Sequence, residues 1–288
     1  MADIRFVQAD TLKEKPADVS KVGFGRVFTD YMFEMDYNPE EGWHDARIVP
    51  YQDVPLSPAN ATLHYGQAIF EGCKAYRYEG GKAVVFRAKD HIARLNRSAK
   101  ILDIPEVDEK LVYDALMKLI DLEKDWIPDG PGQSLYIRPF IFSTDPYLGV
   151  SVGQYYKMMI ILSPVGAYYA NGFAPVKIMV EDTYVRAPKG GLGAAKTPAN
   201  YAASLHGGLI AHEKGYDQTL WTDGIEHKYI GEVGSMNILF KIDGKVVTPE
   251  LDGTILDGIT RRTVLRVCKE WGIPTEERRI SIDELIED

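Results

Sequence analysis

The sequence has few cysteines, no long apolar run and no long basic run, and each absence excludes a class of protein. Only two cysteines, Cys73 and Cys268, occur among 288 residues, too few for a disulfide framework. No stretch reaches the 18 apolar residues of a membrane-spanning helix, and the N-terminus has no apolar core like that of a signal peptide. We therefore expect a protein of a reducing compartment, the cytoplasm, with no membrane partner.

The charge pattern argues against nucleic acid as a partner. The net charge is −9, and acidic and basic residues are interleaved along the chain with no basic patch. The six histidines form no pair at i and i+4, so no metal site is predicted. No G-x-x-x-x-G-K-[ST] phosphate loop occurs, which disfavours a nucleotidase. Small molecules are the expected partners.

Length and apolar content predict two domains. A chain of 288 residues, 45% of them apolar, exceeds the usual size of one domain and can fill two cores. The segment from 164 to 175 contains Gly166, Gly172 and two tyrosines, which is typical of a connection between domains. We place the first domain at 1–165, the connection at 166–175 and the second domain at 176–288.

Hydrophobic periodicity predicts the main elements of the first domain. Apolar residues recur at three- and four-residue spacing from Lys89 to Leu102, which is typical of an amphipathic helix, and a second helix is predicted from Asp108 to Lys124. The turn at residues 79–81 lies between two β-rich segments and predicts a hairpin. The predicted strands are Lys74–Tyr78, Lys82–Arg87, Leu135–Phe142 and Tyr156–Ser163.

The second domain is predicted to begin with a strand and a glycine-rich loop. A helix follows and ends at Gly215, and a later helix ends at Gly272, since glycine commonly terminates helices. The turn at Asp243 and Gly244 predicts a hairpin. The predicted strands are Val176–Glu181, Thr219–Thr222, Tyr229–Glu232 and Ile238–Ile242, and the predicted helices are Ala199–Lys214 and Gly258–Trp271.

The segment KGGLGAAKTPANY, Lys189 to Tyr201, is the most unusual in the chain. Three glycines and other small residues precede Lys196, and small residues let a bulky ligand approach the backbone. A lysine that forms a Schiff base needs a confined, partly desolvated site, because its amine must be available near neutral pH. Most lysines are solvated surface charges, so the surrounding residues decide the interpretation.

Eight sequence blocks occur along the chain in this order: VGFGRVFTDYM, LHYGQAIFEGCKAYR, FRAKDHIARLNRSAK, SLYIRPFIF, SPVGAYY, GGLGAAKTPANY, YIGEVGSMN and LDGITRRTV. Together, and in family order, they resemble the branched-chain amino-acid aminotransferases, which are fold type IV pyridoxal-phosphate enzymes. The resemblance implies a mixed α/β fold with a small N-terminal α/β domain and a larger C-terminal pseudo-barrel domain, here shortened at its C-terminus. It implies that the chain transfers the α-amino group of Leu, Ile or Val to 2-oxoglutarate.

The resemblance also implies which residues bind pyridoxal 5'-phosphate. Lys196 would be the catalytic lysine that holds the cofactor as a Schiff base and shuttles the substrate α-proton. Tyr201 would hydrogen-bond the cofactor phenolate, and Glu232 would pair with the pyridine nitrogen. The phosphate would be bound by Arg94 and by the start of a helix, Ile259 and Thr260.

The substrate residues implied by the resemblance lie in the first domain and in the connection. The predicted apolar pocket suits a branched aliphatic side chain, and alternation along a strand predicts that Tyr136 and Arg138 face the same side. Arg138 would bind the distal carboxylate of glutamate. A homodimer is implied as well. The predicted substrate-binding residues are Phe28, Tyr65, Phe70, Tyr136, Arg138 and Tyr168.

The sequence departs from the family at its end and leaves two alternatives open. Family members usually continue for several tens of residues beyond the segment ISIDELIED, through a Gly-Thr-Ala turn that binds phosphate and substrate carboxylate. One alternative is another fold type IV enzyme, a D-amino-acid aminotransferase or an aminodeoxychorismate lyase. The other is a shortened, catalytically silent protein that binds the cofactor.

Overall fold

The computed structural model describes residues 4–167 and 174–287. The chain divides into two compact units, Met1–Phe173 and Ala174–Asp288. Among the described residues, no helix has the length and apolar character needed to cross a bilayer. Each unit has its own buried core and is described separately.

The first unit is built on an eight-stranded sheet covered by helices. The strand order is β1-β3-β2-β8-β7-β5-β6, with β4 paired to β7 beside β5. The strands are β1 (Arg5–Phe6), β2 (Tyr31–Asn38), β3 (Gly42–Pro50), β4 (Ala68–Phe70), β5 (Cys73–Arg77), β6 (Ala83–Val85), β7 (Ser134–Ser143) and β8 (Tyr156–Val165), and the helices are α1 (Ala61–Tyr65), α2 (Ala88–Ile101) and α3 (Glu109–Leu122).

Helices α2 and α3 cover the sheet because each has one apolar stripe. Leu95 on α2 and Leu116 on α3 are almost completely buried in one core with Phe33 and Ile160 of the central strands. Asp108 caps α3 by accepting hydrogen bonds from two first-turn amides, which fixes where the helix begins. The predicted helices and the predicted hairpin between β5 and β6 are confirmed.

Strands β2 and β3 lie inside this sheet and were not predicted. Five consecutive residues at the start of β2 are buried, so the strand lacks the alternation that marks a half-exposed strand. It also contains Glu34, which is 7% exposed and which pairs with Arg47 of β3 at 2.7 Å. An acidic residue in a buried strand is tolerated here because its partner lies on the neighbouring strand.

The second unit contains two three-stranded sheets and three helices. One sheet has the order β11-β10-β9 and the other β12-β13-β14. Parallel pairing of β9 with β10 requires a crossover, which α4 provides. The strands are β9 (Ile178–Glu181), β10 (Gln218–Thr222), β11 (Ile230–Val233), β12 (Phe240–Ile242), β13 (Lys245–Thr248) and β14 (Thr275–Glu277), and the helices are α4 (Pro198–Glu213), α5 (Ile259–Glu270) and α6 (Ile282–Glu287).

The core of the second unit fixes the strands that carry the site. Leu220 of β10, Ile230 and Val233 of β11, and Val247 of β13 are buried in one cluster. The strands and helices predicted for this half are present, and no predicted bound differs from the observed one by more than two residues. The short strand β14 was not predicted; it pairs in parallel with β13.

Candidate functional site

Lys196 lies at the end of the glycine-rich loop, directly before α4. Its Nζ donates a hydrogen bond to the hydroxyl of Tyr201 over 2.7 Å. Tyr201 stands in the first turn of α4, which begins at Pro198, a residue whose fixed φ suits the first helical position. The five-residue spacing of the predicted pair thus brings amine and phenol into direct contact.

An asparagine side chain and a glycine hold the loop in shape. Asn200, on the first turn of α4, donates from Nδ2 to the carbonyls of Leu192 and Ala195 at 2.8 and 2.9 Å. Gly193 is buried, and a Cβ at this position would collide with the backbone of Thr254. The glycine is therefore required by the close approach of two protein loops, a reason that the sequence did not reveal.

Glu232 is a buried carboxylate at the end of β11, with 2% exposure. Arg186 places Nη2 at 2.6 Å from Oε2, and Asn237 donates from Nδ2 to Oε1 over 2.8 Å. A buried carboxylate needs such partners, since burial without them disfavours the ionised form. The structure thus supplies a cation and an amide donor to the predicted carboxylate.

Neither partner of Glu232 was predicted from the sequence. Arg186 was not considered, although it lies three residues before the glycine-rich segment begins at Lys189. Asn237 lies within the block YIGEVGSMN but received no role. Its five-residue spacing from Glu232 was the available signal, because a tight turn between Val233 and Met236 returns the chain toward the carboxylate.

The predicted phosphate turn is the beginning of α5. Gly258 is the N-cap residue and has no side chain with which to cap the helix. Ile259 is buried, whereas Thr260 is exposed on the first turn. The first amides of a helix have no partner within the helix and attract anions, so this end has the chemistry that a phosphate needs.

Arg94 lies on α2 in the first unit, within a buried charge cluster. Its Nε and Nη2 donate to the two carboxylate oxygens of Glu71 at 2.6 and 2.9 Å, and His91 Nδ1 lies 2.7 Å from Glu71 Oε2. Burial alone would raise the pKa of Glu71, but the hydrogen bonds from His91 and Arg94 outweigh it and lower that pKa to about 2. The sequence did not reveal that Glu71 holds the predicted phosphate-binding arginine.

Three of the predicted substrate residues lie together in the first unit. Arg138 Nη2 donates to the hydroxyl of Tyr136 over 2.9 Å, so the prediction that both face one side of β7 is confirmed. The Arg138 guanidinium lies over the Phe70 ring at 4.4 Å. Phe24, which was not predicted, packs edge-on against Tyr136 at 4.8 Å. A side chain at Gly72 would collide with the Tyr136 hydroxyl.

The remaining predicted substrate residues have other surroundings. Phe28 stacks on Tyr51 with ring centroids 4.8 Å apart and an interplanar angle of 7°. Tyr65 ends α1, is 46% exposed and lies 6.1 Å from the His64 ring. Tyr168 lies outside the described residues. The structure therefore joins Phe70, Tyr136 and Arg138, while Phe28 and Tyr65 contact other side chains.

Comparison with known proteins places these residues in a family. The family model for amino-transferase class IV matches residues 68–288. The chain is 54% identical over 284 residues to branched-chain-amino-acid aminotransferase 2 of Bacillus subtilis, covering 99% of this chain and 78% of that protein. The sequence resemblance is therefore confirmed, and the alternative fold type IV activities are disfavoured.

Solved structures agree with the sequence comparison. The branched-chain aminotransferase of Thermoproteus uzoniensis, solved with norvaline, has a TM-score of 0.76 at 27% identity and covers 89% of this chain and 81% of that one. The branched-chain amino acid aminotransferase of Escherichia coli has a TM-score of 0.69 at 30% identity, covering 88% and 77%. A third branched-chain amino acid aminotransferase, complexed with N-(5'-phosphopyridoxyl)-L-glutamate, has a TM-score of 0.70 at 26% identity, covering 87% and 78%. These similarities confirm the predicted fold class.

Proposed function

We propose which residues carry out each step of amino transfer in this chain, which belongs to the class IV aminotransferases and among them to the branched-chain-amino-acid aminotransferases. Lys196 is the residue that carries pyridoxal 5'-phosphate. The contact that supports this assignment best is the 2.7 Å hydrogen bond from Lys196 Nζ to the Tyr201 hydroxyl. It holds the amine at a fixed point beside a second titratable group.

The groups of the second unit fit pyridoxal 5'-phosphate. An amine for the cofactor carbonyl, a phenol beside it, a buried carboxylate for a ring nitrogen and a helix N-terminus capped by glycine for a phosphate all occur in this unit. When bound, the cofactor accepts electron density from the substrate bond that is broken and carries the amino group between substrates. The relative that was solved with a phosphopyridoxyl-glutamate adduct supports the same cofactor here.

Lys196 has two tasks in this proposal, which are to bind the cofactor and then to move a proton. Once an amino-acid substrate has displaced it, Nζ is a free amine that can take the proton from the substrate α-carbon. The Tyr201 hydroxyl, as its hydrogen-bond partner, restricts where Nζ can lie. Proton transfer requires a donor and an acceptor within hydrogen-bond reach, so this restriction favours the transfer.

Glu232 keeps a proton on the cofactor ring nitrogen. A carboxylate beside that nitrogen favours its protonated form, because opposite charges attract strongly in a buried site. Arg186 and Asn237 bind the two carboxylate oxygens and so stabilise the ionised form of Glu232. At the start of α5, the first amides and the Thr260 hydroxyl bind the phosphate.

The first unit supplies the groups that recognise the substrates. Phe24 and Phe70 offer apolar surface for a Leu, Ile or Val side chain. Arg138 offers a guanidinium for the distal carboxylate of glutamate or 2-oxoglutarate, and Tyr136 orients it. Arg94, held by Glu71, is assigned to the phosphate. The norvaline and phosphopyridoxyl-glutamate complexes of the two relatives support this pair of substrate types.

The proposal includes the kinetics and the assembly of the enzyme. Each half-reaction uses the same cofactor, and the first product leaves before the second substrate binds, so the kinetics should be ping-pong. A cytoplasmic homodimer is part of the proposal, as the resemblance implies. Sedimentation of the purified chain measures the state of assembly, and a monomer would contradict the homodimer.

The test is glutamate formation from L-leucine and 2-oxoglutarate by the chain loaded with pyridoxal phosphate. Lys196→Ala should reduce the rate by several orders of magnitude, because both the attachment point and the proton carrier are lost. Lys214→Ala, which changes an exposed lysine after α4, should leave the rate unchanged. Equal rates for the wild type and Lys196→Ala would overturn the proposal.

A further inference from the structure

We propose that Asn237 is a positioning residue that fixes Glu232 against the loop of residues 252–258. This inference rests on the proposed function, since it concerns how Glu232 is held for the cofactor ring nitrogen. One amide group makes both contacts. Nδ2 of Asn237 donates to Glu232 Oε1 over 2.8 Å and to the carbonyl of Leu256 over 2.9 Å. The carboxylate and the loop are thus tied to a single nitrogen atom.

The same loop also holds the other partner of Glu232. Arg186 places Nη2 at 2.6 Å from Glu232 Oε2 and donates from Nη1 to the carbonyl of Thr254 over 3.0 Å. Each carboxylate oxygen of Glu232 therefore has a partner, Asn237 or Arg186, that also donates a hydrogen bond to a backbone carbonyl of the 252–258 loop. A hydrogen bond to one oxygen and an ion pair at the other restrict rotation of a carboxylate more than either contact alone does.

The 252–258 loop also approaches the glycine-rich loop that precedes Lys196, and its last residue, Gly258, is the N-cap of α5. Gly193 lies three residues before Lys196, and a Cβ on Gly193 would collide with the backbone of Thr254. At its other end, the loop reaches Gly258, whose missing side chain leaves room for Asn237 Oδ1. Asn237 thus lies between Glu232 and the start of the helix assigned to the phosphate.

The backbone around Asn237 fixes the direction of its side chain. Val233 and Met236 exchange two backbone hydrogen bonds of 2.9 and 2.8 Å, closing a tight turn directly after Glu232. The Asn237 amide is neutral, so it fixes the direction of the carboxylate without neutralising its charge. If the amide is removed, the ion pair with Arg186 persists, and we expect Glu232 to turn toward Arg186 and to pair less well with a ring nitrogen.

The test compares Asn237→Ala and Asn237→Asp with Asn96→Ala as the matched control. Asn96 is a buried asparagine of the first unit whose amide bonds the N–H and the carbonyl of Val107. All three changes remove side-chain hydrogen bonds, which are buried for Asn96 and partly buried for Asn237, but only the Asn237 variants change the surroundings of Glu232. Asn237→Asp keeps the shape of the side chain, removes the donor and adds a like charge beside Glu232.

Two measurements separate positioning from a merely structural role. In the cofactor-free chain, hydrogen exchange of residues 252–258 should increase in Asn237→Ala and remain at the wild-type level in Asn96→Ala. In the chain loaded with ¹⁵N-labelled pyridoxal phosphate, the ring-nitrogen resonance of Asn237→Ala should move toward the neutral-pyridine position. We expect kcat to fall on the order of tenfold, and further in Asn237→Asp, with little change in KM for leucine.

Wild-type exchange in the loop together with a wild-type ¹⁵N resonance in Asn237→Ala would overturn the inference. Failure of the proposed function has a different signature, which is a wild-type chain from which borohydride fixes no cofactor on Lys196. In that case the role of Glu232 toward a ring nitrogen falls with the proposed function. The exchange measurement still decides whether Asn237 fixes the 252–258 loop, because it requires no cofactor.

Discussion

The substitution Glu71→Gln should destabilise the chain strongly, because it removes the counter-charge of a buried guanidinium. Glu71 is 1% exposed and accepts hydrogen bonds from Arg94 and His91. Its pKa falls from an ordinary 4.5 to about 2 in the folded chain. At about 1.4 kcal/mol per pKa unit, the ionised form contributes about 3 kcal/mol to stability at neutral pH. Removing one partner of a buried ion pair costs about 3–5 kcal/mol in other proteins, a similar magnitude.

The sign of the pH dependence follows from the direction of the shift. Because the folded pKa of Glu71 is below its unfolded value, the stabilisation is complete above about pH 5 and is lost as the pH falls toward 2. Urea denaturation of wild type and variant at pH 7 and pH 3 measures this directly. The difference in free energy of unfolding should be about 3 kcal/mol at pH 7 and much smaller at pH 3.

Two results would refute this reasoning about Glu71. One is a difference below about 1 kcal/mol at pH 7, and the other is a difference that does not shrink between pH 7 and pH 3. The double variant Glu71→Gln with Arg94→Met is the control, since removing both charges should restore much of the stability. A double variant no more stable than Glu71→Gln would mean that the cost arises from packing.

Three further predictions concern other parts of the chain. Burial raises the pKa of Glu123 to about 7, so the ionised side chain at pH 8 destabilises the folded chain. Glu123→Gln should therefore raise the urea midpoint at pH 8 but not below pH 5, and equal gains at both pH values would contradict this. Gly193→Ala should lower the thermal midpoint and weaken cofactor uptake, because the new Cβ would collide with the Thr254 backbone. The control Gly208→Ala, at an exposed helical position, should do neither. A Gly193→Ala variant with an unchanged thermal midpoint would contradict the close packing. Arg138→Met should raise KM for 2-oxoglutarate on the order of tenfold or more and KM for leucine much less, as steady-state kinetics will show; an equal rise in both would remove the distal-carboxylate role.

Local patterns made much of the fold predictable, and long-range charge pairs limited the rest. Helices α2 and α3 have periodic apolar stripes, and Asp108 caps α3, so both were predicted. Strand β2 was missed because it is buried without alternation and contains Glu34. Arg47 and Lys157, on the two neighbouring strands, make that carboxylate acceptable, and no local pattern reveals such partners.

The candidate site divides in the same way between local and distant contacts. Lys196 and Tyr201 are five residues apart on a loop and a first helical turn, so their contact could be predicted. The pairing of Arg186 with Glu232 joins distant segments of the chain and was not predicted. Phe28 was assigned to a substrate pocket from resemblance alone; the structure stacks it on Tyr51, and its contact with substrate stays a prediction.

The most direct test of the central claim is to find where the cofactor becomes attached. The purified chain is incubated with pyridoxal phosphate, reduced with borohydride and digested, and the modified peptide is identified by mass spectrometry. We predict one adduct, on Lys196, which disappears when L-leucine is added before reduction, because leucine converts the cofactor to a form that borohydride cannot fix. An adduct on another lysine, or no adduct on a folded chain, would contradict the assignment of Lys196.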